Sequence, residues 1–305
     1  MPKLYAIADL HLSYALNRDA LAALAPHPKD GLILAGDVGE SLAHLRLAFS
    51  TAKERFARVW WVPGNHELYT LPSHGAAAAD ALAPPPARGH EKYLECVEVA
   101  REHGVLTPED DFARWEDEDS GAAVLVCPLF TLYDYSFRPA EVTREGALEW
   151  AREEGIEATD EALLHNDPYL GRDEWCHTLV ARSEERLRAA AAQGLPLVLV
   201  NHWPLKERLV RLWLVPRFSI WCGTTLTEDW HRRYSAKVVV TGHLHVRRTD
   251  WIDGCRFEEC SLGYPRQWQS CRDKGLDIND MLREILPGPQ APPSGNADTV
   301  WRRDG

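Results

Sequence analysis

VVVTGHLHV, residues 238–246, is the stretch from which the fold can be read. Three β-branched residues read as a buried strand. The strand stops at Gly242, and two histidines follow with one residue between them. Side chains two apart on extended backbone point to the same side, so His243 and His245 can reach into one small volume. Paired imidazoles at a strand end suit a metal ion, and equally suit a wet loop, so the rest of the chain has to decide.

The same grammar recurs upstream. Strand-length apolar runs lie at 3–11 (KLYAIADLH), 31–37 (GLILAGD), 58–66 (RVWWVPGNH), 122–128 (AAVLVCP) and 195–202 (LPLVLVNH). Between several of them, residues 41–57, 91–103 and 173–192 space their apolar positions at three and four, the period of a helix packed on one face. Strands alternating with helices imply crossover connections and a layered α/β fold. After residue 245 the pattern turns to short strands, VRRTDWI and CRFEECSL, which predicts a mixed sheet. The helical pattern also extends to 206–218 (KERLVRLWLVPRF), read as a basic, apolar helix that packs in the core or borders a site and docks an acidic partner. Residues 70–90, with a triple proline, predict an irregular surface loop. The fold is expected to occupy residues 1–286. The Pro- and Gly-rich tail, 287–305, is expected to be disordered.

All but one of these strands end in residues that ligate metals: Asp9 and His11, Gly36-Asp37, Gly64-Asn65-His66-Glu67, Asn201-His202, and Gly242-His243 with His245. The exception, 122–127, ends in Cys-Pro. In open α/β sheets, ligands bind outside the carboxyl ends of the strands, so clusters far apart in sequence can converge there. The glycines are expected to let the chain turn sharply at each rim. Asp, Asn and His suit first-row divalent ions, and the absence of thiolates argues against structural zinc. Paired ions can clamp the attacking and leaving oxygens of a displacement at phosphorus. The acidic run at 116–119 reads as a solvated turn.

The pattern D-x-H, GD, GNHE, NH and GHxH, in this order over about residues 4–262, resembles the calcineurin-like metallophosphoesterases. The resemblance implies a four-layer αββα sandwich of two mixed sheets flanked by helices. It implies two divalent ions, manganese or iron first, with zinc, nickel and cobalt compatible. Asp9, His11, Asp37 and His245 match the ligands of one ion, and Asp37, Asn65, His202 and His243 those of the other. His66 matches the acid that protonates the leaving oxygen, and Glu40 a carboxylate that orients it. The implied reaction is hydrolysis of a phosphate ester, favouring a diester, by a hydroxide bridging the ions. SLGYPRQW (261–268) is similar to a bacterial subgroup that includes phosphopantetheinyl hydrolases, which implies a holo acyl carrier protein as substrate. A phosphomonoesterase and a metal-free scaffold are the alternatives. Candidate substrate contacts are Trp203 beside His202, Tyr133 and Tyr135 in the loop after a strand, and Arg266 for a phosphate oxygen.

Bulk properties narrow the class. The 305-residue chain carries a net charge of −12, which disfavours a nucleic-acid or membrane coat. Residues 201–275 run the other way, with 13 Lys and Arg against 8 Asp and Glu, a surface suited to a phosphorylated substrate. Seven cysteines without a CxxC pair fit reduced thiols in a cytoplasmic protein. The N-terminus reads as a strand rather than a signal peptide, and no apolar run is long enough to span a bilayer.

Overall fold

The computed structural model describes residues 2–72, 86–116 and 123–302. The acidic run beyond Glu116 and most of the proline-rich loop lie outside them. Eleven strands occur among the described residues: β1 (Leu4–Ile7), β2 (His27–Leu34), β3 (Phe56–Trp61), β4 (Ala113–Glu116), β5 (Ala123–Pro128), β6 (Leu197–Val200), β7 (Ala236–Thr241), β8 (Arg248–Ile252), β9 (Cys255–Glu259), β10 (Arg283–Leu286) and β11 (Ala297–Trp301). They form a four-stranded sheet, β10-β1-β2-β3, and a seven-stranded sheet, β11-β8-β9-β7-β6-β5-β4. Both are mixed. β1, β2 and β3 run parallel with β10 antiparallel; β5, β6, β7 and β9 run parallel with β4 and β8 antiparallel to them, and β11 pairs antiparallel with β8.

Strand periodicity explains the layering. Alternate residues Leu4, Ala6, Ile33 and Trp60 of the small sheet pack with Val124, Val126, Val198, Val200, Val238 and Val240 of the large one. Their neighbours Leu32, Leu34, Val59, Trp61, Leu125, Leu197, Leu199 and Val239 join the core that contains the helices. Strands covered on both faces read as unbroken apolar runs, as 238–240 did. The result is the four-layer αββα arrangement.

The helix Leu42–Arg55 buries Leu45, Ala48, Phe49 and Ala52, and Ser41 caps it by accepting from the His44 amide. On the large-sheet side, Arg172–Ala191 buries Trp175, Cys176, Leu179, Val180, Leu187 and Ala190.

Two expectations are corrected. The tail is not wholly irregular: β11 pairs antiparallel with β8, and the Arg302 amide donates to the Arg247 carbonyl. The strand's alternating ADTVW lay hidden behind a loop-like composition. Residues 206–218 form no amphipathic helix. Short 3-10 turns at Glu207–Leu209 and Pro216–Trp221 flank an irregular stretch. Pro216 excludes Val215 from helical backbone, and Val215 sits at φ −140°, ψ 60°.

Candidate metal centre

The carboxyl ends of β1, β2, β3, β6 and β7 bring the distant motifs together. Besides His11, Glu40 and His66, two groups of side chains have ligand atoms close enough to share an ion: Asp9, His11, Asp37 and His245, and Asp37, His202 and His243. Asp37 belongs to both. Its Oδ2 lies 3.5 Å from His202 Nε2 and 4.0 Å from His11 Nε2. His11 Nε2 and His245 Nε2 stand 3.1 Å apart, and His245 Nε2 lies 2.8 Å from Asp9 Oδ1. Asp9, His11, Asp37, His243 and His245 all adopt left-handed backbone, with φ between 43° and 73°. Such strain in non-glycine residues clusters where side-chain direction is decided by function.

The glycines act through space more than through turning. Gly36 does have φ +90°. A Cβ on Gly64 would meet Asp37 Oδ1 at 2.2 Å, and one on Gly242 would meet Asp9 Oδ2 at 2.4 Å. Their absent side chains are where the carboxylates lie.

The donor set fits divalent cations. Buried His11 Nδ1, His202 Nε2, His243 Nε2 and Asn65 Oδ1 have no hydrogen-bond partner, although buried polar atoms are normally satisfied. Supporting contacts fix the orientation of these groups. His202 Nδ1 donates to the Ala35 carbonyl at 2.8 Å, which turns Nε2 toward Asp37. His245 Nδ1 donates to Gln267 Oε1 at 2.8 Å, and Ser261 Oγ donates to Asp9 Oδ2 at 2.7 Å. Buried Glu67 accepts from the amides of Asp37, Val38 and Gly64 at 3.0, 2.6 and 2.8 Å, locking the β2 and β3 rims together.

Electrostatics follow the same geometry. Burial alone would raise the Asp9 carboxyl, but His245 holds it at about 2. Asp37 is likewise held well below the carboxylate range against its burial, by His202 and His66. Burial pushes His11 down to about 3, and burial with the His202 charge pushes His243 down to about 4. Both stay neutral, as ligands must. Burial lowers His202 too, but Asp37 and Asp9 outweigh it and raise that imidazole to about 10, so His202 has to release its Nε2 proton to bind an ion. His66 donates from Nδ1 to Glu40 Oε1 at 2.8 Å. Burial lowers its pKa, but Asp37 and Glu40 outweigh that and raise it to about 9.

These groups form one end of a cavity of about 700 Å³ lined by Asp37, Asn65, His66, His243, His245, Tyr264 and Arg266. Leu71, Leu163, Leu212, Val215, Phe218 and Leu244 line it too, alongside Glu157, Thr159 and Asp160. Arg266 therefore stands where a substrate contact was expected, and the other three candidates do not. Trp203 is fully buried and packs its ring on His202, centroids 5.1 Å apart, behind the ligands. Tyr135 is buried and donates to Glu161 beside a separate cavity. Tyr133 is buried and donates to Asp160 Oδ2 at 2.9 Å.

Asp160 is the residue the sequence concealed. Its Oδ1 accepts from Asn65 Nδ2 at 2.9 Å and from the Tyr69 hydroxyl at 2.7 Å. Tyr133 in turn accepts from the buried Arg172 at 2.6 Å. This chain turns the Asn65 amide so that Oδ1 is left for an ion. Asp160→Ala should strand three buried donors, costing about 1–3 kcal/mol of stability. It should also weaken metal binding about 10- to 100-fold. Thermal melts and calorimetric titration of Mn²⁺ into the stripped protein read the two effects separately.

Comparison with known proteins agrees with this geometry. The calcineurin-like phosphoesterase family matches residues 2–247. The [acyl-carrier-protein] phosphodiesterase PptH of Mycobacterium tuberculosis is 43% identical over 295 residues, spanning 96% of this chain and 86% of that protein. A crystal structure of phosphopantetheinyl hydrolase PptH from the same organism superposes with a TM-score of 0.84 at 42% identity, covering 96% of this chain and 98% of that one. Five strand-end motifs gathered around a shared aspartate, on two facing mixed sheets, place this chain in the calcineurin-like phosphoesterase family, whose members use paired divalent metals.

Proposed function

We propose that this protein hydrolyses the phosphodiester joining phosphopantetheine to a serine of an acyl carrier protein. The observation that carries the reading is the meeting of the two ligand groups at Asp37, on the floor of a cavity with His66 at its edge. Similarity to PptH across nearly the whole chain supports the carrier-protein substrate.

Asp9, His11, Asp37 and His245 would hold one ion, and Asp37, Asn65, His202 and His243 the other. The nitrogen and oxygen donors, without thiolate, suit manganese or iron. When bound, the ions would neutralise the phosphoryl oxygens and acidify an attacking water. His66 donates a proton to the departing serine oxygen, and Glu40 keeps its ring aligned and charged. Asn65 contributes a neutral oxygen and so limits the negative charge of the site. Arg266, at the cavity wall, binds a non-bridging phosphate oxygen. The rest of the cavity, apolar in part, accepts the extended pantetheine arm. A cytoplasmic location fits the seven free, buried thiols. Among the described residues no helix is long and apolar enough to cross a membrane.

Mass spectrometry of holo carrier protein incubated with the manganese-loaded enzyme tests the proposal. Loss of the phosphopantetheine mass is expected. Chelation should abolish it, and added manganese should restore it. An unchanged carrier, with rapid turnover of small phosphomonoesters, would assign a monoesterase instead.

A further inference from the structure

Between the turns Glu207–Leu209 and Pro216–Trp221 the chain presents a tip with unusual exposure. Trp213 is 80% exposed and Leu214 94%. A tryptophan and a leucine held side by side in water mark a contact surface more often than chance, and tryptophan dominates interface energetics. The base of this loop is anchored. Leu209, Ile220 and Trp221 are buried, and the Leu209 carbonyl accepts from Arg248. Val210, Leu212 and Phe218 pack on Phe137, Cys222 and Leu244, and Leu244 separates the two site histidines His243 and His245. Leu212 and Val215, on either side of the tip, line the catalytic cavity itself. The exposed pair is thus continuous with the mouth through which a substrate enters.

Charge at this mouth identifies the occupant. Arg211, beside the tip, hydrogen-bonds Thr299, and neither it nor Arg266 has a carboxylate partner among the described residues. Of the acids nearby, Glu157 pairs with Arg152 at 2.6 Å, Glu153 and Glu154 with Arg217 at 2.7 and 3.0 Å, and Glu228 with Lys206 at 3.1 Å; Glu207 at the loop's base has no ion pair among the described residues, but neither has its neighbour Arg208. The uncompensated charge is therefore positive, on a chain whose net charge is −12. Two copies of such a chain repel one another, whereas an acidic partner is attracted to this edge.

We propose that Trp213, Leu214 and Arg211 form the docking surface for the folded body of the carrier protein. Its acidic face lies on Arg211, and its apolar surface covers Trp213 and Leu214. This deepens the function proposed above and rests on it. A phosphodiester anchored to a folded domain reaches the metal end of the cavity only if that domain sits against the rim, and this tip, with Leu71, supplies exposed apolar surface there.

The experiment compares two substrates on the manganese-loaded enzyme: holo acyl carrier protein and bis(4-nitrophenyl) phosphate. The double variant Trp213→Ser/Leu214→Ser should lose roughly 10- to 100-fold in kcat/KM on the carrier, chiefly through KM. Its turnover of the small diester should stay within about twofold, which also shows that the variant is folded. Arg211→Glu should raise KM for the carrier and flatten the dependence of that KM on salt. Carrier cleavage unaffected in both variants would overturn the docking surface and leave the proposed function standing. Equal losses on both substrates would overturn it too, by placing the effect in the cavity. A wild-type enzyme that turns over the small diester but leaves the carrier intact would remove both readings. Sedimentation that finds a dimer converted to monomer by the double variant would assign the patch to a second copy of this chain.

Discussion

His66→Asn should lower turnover of a carrier-linked or other alkyl phosphodiester about 100- to 10,000-fold and leave bound metal unchanged. His66 sits outside the two groups that share Asp37, with its ring centroid 4.5 Å from that of His11 and its Nδ1 on Glu40. What it supplies is a proton. An alkoxide leaves poorly without one, whereas 4-nitrophenolate needs little help. The loss should therefore shrink sharply when the leaving group is 4-nitrophenol, a contrast that damage to the metal site would not give. The pH profile carries the same signature. An acid catalyst works in its protonated form, so activity is full below the pKa of His66 and falls as pH rises through it. Burial lowers the pKa of His66, but Asp37 and Glu40 outweigh it, and Glu40 lies outside both ligand sets, so that limb should lie above the pH at which a free histidine titrates. Glu40→Gln removes one of the carboxylates that raise it, beside Asp37 and Asp160, so the limb should move to lower pH. In His66→Asn it should vanish.

Asp37→Asn should be more damaging and in a different way. Asp37 Oδ1 accepts from the His66 amide at 2.9 Å, and its Oδ2 faces His202, His11 and His66. Asparagine keeps the shape and the amide contact but removes the charge shared by both groups. Metal content should fall from two ions per chain to one or fewer. Turnover should fall at least roughly a thousandfold, because charge neutralisation by paired ions is worth several kcal/mol. Elemental analysis of the purified variant checks the first statement and steady-state rates the second. Full occupancy of both ions in Asp37→Asn would contradict the shared role of this carboxylate.

These effects trace to residues that could be found before any coordinates, and the reason is physical. A parallel strand buried on both faces must be apolar, and the first polar residues beyond its carboxyl end fall on one edge of the sandwich. Asp9, Asp37, Asn65, His202 and His243 each occupy that position, so local sequence marks them. Asp160 carries no such mark. It lies in an excursion between β5 and β6, and its partners Asn65 and Tyr133 are 95 and 27 residues away. Only the fold brings them together. Gln267 stood within the quoted SLGYPRQW, but spacing cannot show that its amide oxygen meets His245. Trp203 and Tyr133 misled because an aromatic residue beside a motif reads alike whether its ring faces the cavity or backs the ligands. Both are fully buried. The 206–218 segment misled because a basic, apolar composition resembles an amphipathic helix until the constraint of Pro216 is counted.

The most direct test of the metal centre is anomalous X-ray scattering from crystals of the manganese-loaded protein. Two peaks roughly 3.5–4 Å apart are predicted, one on each side of the Asp37 carboxylate, the first also touching Asp9, His11 and His245 and the second Asn65, His202 and His243. No peak at Asp37, or a lone peak bound by other residues in fully active crystals, would contradict the account.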